Sequence, residues 1–371
     1  MTAHSCAARR SIDRAVDALH DGTPILVLSG TDDRVVADVL IAAAHATPHW
    51  TAWLVRFTSG LICAALPARR AAELDLPTMA RGGDSDDEAP TFAVAVDAAY
   101  GISTGISAAD RARTARVLAS NSSRPSDLVR PGHVLPVKTA GCGVLTRQRS
   151  AEAAVDLCVI AGLPPVGLTA ALLDEDGELP REPAIRAFAQ RHNLPMVHID
   201  SVVHHRLYHG DGRCKRVLLV QNRVDQSAGK LVRAVDFEDQ LTGARHTVFI
   251  GGSTPGPADP VVSVVVECVH HDPQLAAGCS CRLEFDRWRG RLATDGGVVV
   301  YLRHPITSAP RLSVSESELI HGCVTAMLIE LGFTAVTLAG AENVRRASAC
   351  GLTVSALPAV PEPRGLSAVA L

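Results

Sequence analysis

The stretch SIDRAVDALHDGTPILVLSG, at residues 11–30, carries the pattern that decides the fold class. Its first half has the spacing of an amphipathic helix, with Ser11 as the N-cap. Its second half is a short apolar run ended by a glycine, which is typical of a buried strand. The same order returns in REPAIRAFAQRHNLPMVHI at residues 181–199. Irregular alternation of helices and strands predicts an α/β or α+β fold.

Length and composition limit the possible functions. A chain of 371 residues predicts two domains, and 47% apolar with 20% charged residues excludes a disordered chain. The 36 basic and 39 acidic residues give a net charge of -3, which excludes a strongly basic nucleic-acid binder. No apolar run reaches the roughly 20 residues that span a bilayer, and the N-terminal residues lack the apolar core of a signal peptide. These features predict a cytoplasmic protein with no membrane partner and with free cysteines.

Three further stretches give the domain organisation. The His-rich segment VHHRLYHGDGRC at residues 203–214 is predicted to be a solvated linker that separates two domains. Beyond it, HTVFIG and VVSVVVEC are strand-like, so the second domain is predicted to open as a β-rich one. In the first domain, PGHVLPVK at residues 131–138 is predicted to be irregular, because it contains two prolines.

The strongest candidate for a metal site is the cluster Cys268, Cys279 and Cys281. Thiolates are soft ligands that suit zinc, and three protein ligands with an open position are typical of catalytic zinc. A structural zinc closed by His270 or His271 and three unrelated cysteines are the alternatives. The spacing alone leaves all three open.

Two weaker patterns lie in the first domain. Residues 101–105 read GISTG, which matches the G-x-S-x-G nucleophile pattern but is equally typical of a turn. Arg147 follows a glycine-rich turn, where its guanidinium could bind a phosphate or a carboxylate. His133 lies beside a proline and a glycine, in a rigid turn. A surface arginine and a capping histidine are the alternative interpretations of these two residues.

Longer motifs resemble a known enzyme family. TGISAADR at 104–111, SDLVRPGHVLPV at 126–137, and GVLTR with EAAVDL at 143–157 resemble 3,4-dihydroxy-2-butanone 4-phosphate synthase. That family converts ribulose 5-phosphate to formate and a four-carbon phosphate for riboflavin, with magnesium. The resemblance covers residues 8–208, and it implies a synthase-like α/β domain and a homodimer. It further implies that His133 is catalytic and that Asp38 and Arg147 bind substrate.

The second half, residues 214–371, resembles GTP cyclohydrolase II. Glu267-Cys268 followed by Cys279-Ser280-Cys281 matches the spacing of that family's zinc ligands, which implies zinc in the second domain and Glu267 at the substrate. The order of the two halves resembles the bifunctional RibBA proteins of riboflavin biosynthesis. The implied partner is a small molecule, either a sugar phosphate or a nucleotide.

The departures from the synthase pattern concern its chemistry. Ser150 replaces a magnesium-binding histidine, and Ala171 replaces a catalytic glutamate. The acidic loop of the family, roughly D-R-E-N-E-G-D, is here DDRVVAD at residues 32–38, so only its final aspartate, Asp38, is kept. Alanine and valine neither bind magnesium nor move a proton. We therefore expect that the magnesium site is lost and the synthase reaction lost or severely reduced.

The cyclohydrolase-like half is altered in the same way. Serine and valine at residues 263–266 replace its lead-in to the first cysteine, and residues 305–308 replace its triphosphate loop. A GTP site needs several cations to balance about four negative charges. Three functions thus remain open: the two family reactions, a zinc enzyme with a different substrate, and a non-catalytic paralogue that partners an active homologue.

Overall fold

The computed structural model describes residues 3–30, 35–79, 91–210, 215–227, 230–252, 260–267, 280–303, 316–339 and 352–356. The chain divides into two units: the first comprises the described residues of Cys6–Arg216 together with Glu316, and the second comprises residues 3–5 and the other described residues from Val217 onward. Each unit contains a mixed sheet with helices, so the α/β prediction is confirmed. Among the described residues, no helix is long and apolar enough to cross a membrane.

The first unit alternates helices with short strands. Its helices are α1 (Ala3–His20), α2 (Pro48–Phe57), α3 (Ala68–Glu73), α4 (Ala108–Ala119), α5 (Ser150–Ile160), α6 (Glu182–His192) and α7 (Ile199–His209). Its strands are β1 (Ile25–Ser29), β2 (Val36–Ala42), β3 (Cys63–Pro67), β4 (Thr91–Phe92), β5 (Val96–Ala98), β6 (Leu128–Thr139), β7 (Gly167–Ala171) and β8 (Met196–His198). Within this unit the described strands join in the order β4-β6-β3-β7-β2-β1-β8, and β5 pairs with β6.

Alternation along β2 assigns the two faces of this sheet. Val39 and Ile41 are fully buried in a core that includes Leu54 of α2 and Leu118 of α4. Successive side chains of a strand point to opposite faces, so Asp38 lies on the other face. That face is covered by α5, which packs on β2, β3 and β7. The start of α5 is therefore placed beside Asp38.

The segment at residues 131–138 contradicts its prediction, because it lies within the continuous strand β6. The peptide bond from Arg130 to Pro131 is cis, and the pairing of β5 with β6 shifts register between Val96 and Asp97. Gly132 lies so close to β5 that a Cβ there would be 2.0 Å from the carbonyl carbon of Val96. Both prolines are tolerated within the strand. Pro131 lies where the pairing with β5 is irregular. Pro136 uses only its carbonyl, which accepts from the Ala93 amide.

The second unit is built on a seven-stranded sheet, counted over the described residues. Its strands are β9 (Val217–Ser227), β10 (Lys230–Asp239), β11 (Arg245–Gly251), β12 (Val261–Val266), β13 (Gly297–Leu302), β14 (Ala335–Leu338) and β15 (Thr353–Ala356), and its helices are α8 (Ser280–Asp295) and α9 (Glu316–Glu330). The strand order is β15-β14-β12-β13-β11-β10-β9. Strands β9, β10, β11 and β13 pair antiparallel, which agrees with the β-rich opening predicted for this half.

The prediction of a solvated linker at residues 203–214 is wrong for the part that the structure describes. The histidines at 204, 205 and 209 lie in helix α7, where they are half-buried rather than in a solvated linker. Burial, together with the charges of the nearby His209 and Arg206, lowers the pKa of His205 to about 4. The segment before β13 is the helix α8, which the sequence analysis did not predict. Its low apolar content concealed this helix, because its pattern shows no clear apolar face.

Candidate functional site

The most organised polar pair in the first unit is Asp97 with His133. Asp97 is 4% exposed in the middle of β5, and its Oδ1 accepts the backbone N–H of His133 on β6 at 2.9 Å. Its Oδ2 lies 2.7 Å from Nδ1 of the same histidine. This contact places the ring proton on Nδ1 and leaves Nε2 as the nitrogen available to a substrate. A histidine oriented by a buried carboxylate is an arrangement suited to moving protons.

A glycine loop packs directly against this pair. A Cβ on Gly105, whose φ is +92°, would lie 2.0 Å from Oδ2 of Asp97 and 2.7 Å from Nδ1 of His133. Asp110 of α4 holds the loop, because its carboxylate accepts from the amides of Ser103 and Gly105 and from the Ser103 hydroxyl. These hydrogen bonds hold the pKa of Asp110 below its usual range. GISTG is thus a turn that supports the pair, and Ser103 is held by a carboxylate.

Asp38 lies on a different part of the same sheet and has a different environment. Its Oδ2 accepts the hydroxyl of Ser150 at the start of α5, and Ala171 is its cross-strand partner on β7. Burial raises the pKa of Asp38, and the Ser150 hydrogen bond opposes that rise. Burial and the charge of Asp38 raise the pKa of the nearby Cys63 thiol to about 11. Cys63 is therefore a neutral thiol at physiological pH.

Arg147 is held by a buried partner. Its Nε and Nη2 both donate to Oε1 of Glu152, at 2.8 and 2.5 Å, and Nη2 also donates to the Lys138 carbonyl at 3.2 Å. Glu152 has no exposed surface, and its Oε1 also accepts the Ala140 amide. The guanidinium is thus rigidly placed, and its charge is balanced by Glu152.

A second charged pair follows one turn later on α5. Asp156 accepts the Val144 amide at 2.9 Å and pairs with Arg206 of α7. Burial raises the pKa of Asp156 to about 6, although Arg206 opposes this. These contacts fix the glycine-rich turn before Arg147 against α5 and α7.

The metal site predicted for the second unit lies largely outside the described residues. Cys268 and Cys279 are outside them, and Cys281 falls in α8, where the structure describes the backbone alone. Glu267 is described: its amide donates to the Leu302 carbonyl, and its Oε1 accepts the Tyr301 hydroxyl at 3.0 Å. The acidic residues Asp32 and Asp33 of the first unit are likewise outside the described part of the chain.

The structure brings together a second group that sequence reasoning missed. Asp239, His246 and Cys323 are buried, and each offers a possible ligand atom within 4.8 Å of the others. These donor types suit zinc. The Asp239 carboxylate also accepts from the Leu241 amide and the Thr242 hydroxyl, and Nδ1 of His246 accepts the Arg303 amide at 3.2 Å. No motif could have revealed the group, because its members come from three separate elements.

Comparisons with known proteins identify the family of the chain. The sequence pattern of the 3,4-dihydroxy-2-butanone 4-phosphate synthase family matches residues 13–205. The riboflavin biosynthesis protein RibBA of Salinispora tropica is 36% identical over 294 residues, which cover 79% of this chain and 72% of that protein.

Two solved structures are similar. A 3,4-dihydroxy-2-butanone 4-phosphate synthase in complex with two magnesium ions is 34% identical, with a TM-score of 0.51, over 54% of this chain and 98% of that one. RibBX from A. baumannii, described as a two-domain synthase, has a TM-score of 0.63 and covers 93% of this chain and 99% of its own. At 22% identity, this second likeness concerns the fold.

Proposed function

Because the chain belongs to the RibBA family of riboflavin-biosynthesis proteins, we propose that its first unit binds a sugar phosphate but has lost the magnesium-dependent synthase reaction. One observation carries this proposal. The Asp38 carboxylate is paired with the Ser150 hydroxyl and faces Ala171 across the sheet. By resemblance, an imidazole and a carboxylate occupy these two positions in the active synthases.

The residues around Asp38 do not fit a magnesium ion. Mg²⁺ takes six oxygen ligands in near-ideal octahedral geometry and is usually held by carboxylates together with water and substrate oxygens. Among the described residues here, Asp38 supplies one carboxylate, Ser150 supplies a neutral hydroxyl, and Ala171 supplies no ligand atom. These groups therefore do not supply the donor set of a magnesium site.

The groups that bind and orient a substrate support the other half of the proposal. Arg147 is fixed by Glu152, and Asp97 orients His133 with Nε2 available. A fixed guanidinium suits the phosphate of a sugar phosphate. An oriented imidazole can accept a proton from the bound substrate or donate one to it. The intact Asp97–His133 pair favours a second candidate function, a metal-independent proton transfer on such a substrate.

For the second unit we propose that zinc binds at Cys268, Cys279 and Cys281. The support is the match in spacing to the zinc ligands of the cyclohydrolase family. Zinc content of the purified protein, with and without Cys279→Ser, tests this proposal. One zinc per chain that is lost in the variant is the expected result, and an unchanged zinc content would contradict it.

The experiment for the first unit measures formate release from ribulose 5-phosphate in the presence of Mg²⁺, together with binding of the same compound by calorimetry with Mg²⁺ or with EDTA. We expect no formate, and the same affinity in both buffers. Arg147→Ala should weaken binding roughly tenfold or more, because a charge-assisted contact to phosphate is lost. The exposed Arg69→Ala is the matched control.

Two outcomes would overturn the proposal. Formate release that disappears in His133→Ala but persists in the control His49→Ala, an exposed histidine, would show that the synthase reaction survives. Absence of binding in both buffers would show that the sugar-phosphate site is lost as well. A GTP arm in the same formate assay tests the cyclohydrolase reaction separately.

A further inference from the structure

A cleft of about 520 Å³ lies in the first unit, between the end of α2, the segment after β7, and α6. Phe57, Phe188 and Leu172 line it with apolar surface, and Arg56 and Arg191 line it with guanidinium groups. Its volume lies within the range typical of small-molecule sites, roughly 300–1,000 Å³. An apolar lining with a few charged groups is the usual composition of such a site.

This cleft is separate from the Asp38 site. Leu172 follows Ala171, the cross-strand partner of Asp38, and successive residues of a strand point to opposite faces. Leu172 belongs to the core formed with α2 and α4, whereas Asp38 contacts the start of α5. The cleft and the Asp38 site therefore lie on opposite faces of the first sheet.

The two arginines give the cleft its charge preference. Over the described part of the chain, neither side chain forms an ion pair, and Arg56 lies over the Phe57 ring, 5.5 Å from its centroid. Asp174 and Glu175 also line the cleft, and Asp174 uses Oδ1 to accept the amides of Asp176 and Glu178 within its own turn. Because neither guanidinium forms an ion pair with Asp174 or Glu175, both can pair with an added anion, and the fork of arginine suits carboxylate, sulfonate or phosphate.

The aromatic wall adds a preference for flat groups. The Phe57 and Phe188 rings are 5.9 Å apart, and both contact Trp53 and His192. Such packing restrains the rings, so they offer a preorganised surface on which an aromatic group can stack. Leu172 extends this apolar surface.

We propose that the cleft between α2 and α6 is a binding site for a small aromatic anion, whose ring packs on Phe57 and Phe188 and whose acid group pairs with Arg56 and Arg191. This site is independent of the sugar-phosphate site proposed above. It lies on a different face and uses different residues.

The test is a fluorescence titration of the full chain with 8-anilinonaphthalene-1-sulfonate, an aromatic sulfonate. We expect one saturable site per chain. The double variant Arg56→Gln/Arg191→Gln should weaken binding at least roughly tenfold, because two charge-assisted contacts are removed. Both arginines are exposed, so the variant should remain folded, which circular dichroism checks. Arg186→Gln, on the same helix but outside the cleft, is the matched control and should bind as the parent does.

A second variant tests the apolar half of the site. Ala187→Trp places a large side chain in the cleft and should abolish binding without removing a charge. Two results would overturn the proposal, because each would show that the dye binds elsewhere. One is equal binding of the uncharged N-phenyl-1-naphthylamine, and the other is a titration that the arginine variant leaves unchanged. Competition by ribulose 5-phosphate would overturn it too, because it would place the dye in the sugar-phosphate site.

Discussion

Two places on the first sheet have opposite characters. At Asp97 and His133, each polar atom of the carboxylate has a partner, and a glycine loop fits closely around the pair. Asp38 instead contacts a neutral serine and faces an alanine, at positions where the resemblance to the synthase family implies metal-binding and acidic side chains. The difference teaches that the orientation of a histidine and the donor set for a metal depend on different residues, so the proposed loss of one is compatible with retention of the other.

The largest expected effect tests how strongly Glu152 fixes Arg147, the residue proposed to bind the phosphate. Glu152→Ala should lower the free energy of unfolding by about 3–5 kcal/mol, because it leaves the Arg147 guanidinium buried without its carboxylate. Urea denaturation measures this loss. The exposed pair of Glu182 with Arg186 is the control, and Glu182→Ala should cost less than about 1 kcal/mol. Equal losses in the two variants would show that Arg147 is not fixed by Glu152.

A somewhat smaller effect is expected at the glycine loop. Gly105→Ala should cost about 2–4 kcal/mol, because the new Cβ overlaps Asp97 and His133 in addition to the strain of a positive φ. Gly177, with φ +82° and open space around it, is the matched control. Gly177→Ala carries the backbone strain alone and should cost about 1 kcal/mol. Thermal or urea unfolding of both variants separates crowding from strain, and similar losses would mean that the loop does not press on the pair.

Part of this organisation was predictable from the sequence. Alternating patterns predicted the α/β class, and the resemblance placed His133, Arg147 and Asp38 on the first domain. Asp97 was missed, although an aspartate inside the apolar run TFAVAVDAA was a signal, since a buried strand rarely contains an unpaired charge. The strand β6 and the group of Asp239, His246 and Cys323 depend on long-range pairing, which no local pattern reveals.

His205 of α7 and Asp38 should change the free energy of unfolding in opposite directions as the pH rises. Burial lowers the folded pKa of His205 from 6.5 to about 4, so its contribution is complete above pH 6.5 and is lost as the pH falls towards 4. His205→Gln should therefore reduce the acid destabilisation over this range by about 2 kcal/mol, a value that allows for partial screening by solvent.

Asp38 should behave in the opposite sense. Its folded pKa is raised above its usual value of 3.8, so its contribution is present below that pH and is lost as the pH rises through the raised pKa. Asp38→Asn should therefore reduce the loss of stability that occurs as the pH rises through the raised pKa of Asp38. It should not change the loss of stability at acid pH that His205 causes. Urea unfolding at several pH values measures both variants, and the same pH profile for both would contradict this assignment.

The smallest effect is expected from a variant that adds two possible metal ligands beside Asp38. The double variant Ser150→His/Ala171→Glu adds an imidazole at the start of α5 and a carboxylate across from Asp38 on β7. With Asp38 as a third donor, we expect Mg²⁺ to raise the unfolding free energy of the variant by about 1 kcal/mol at millimolar concentration, and to leave the parent chain unchanged. Thermal unfolding with MgCl₂ against EDTA measures the difference, and Ser122→His, an exposed position, is the control for an added histidine. A parent chain that Mg²⁺ stabilises as much as the variant would show that other residues already form the metal site, and the contrast between the two places on the sheet would no longer hold.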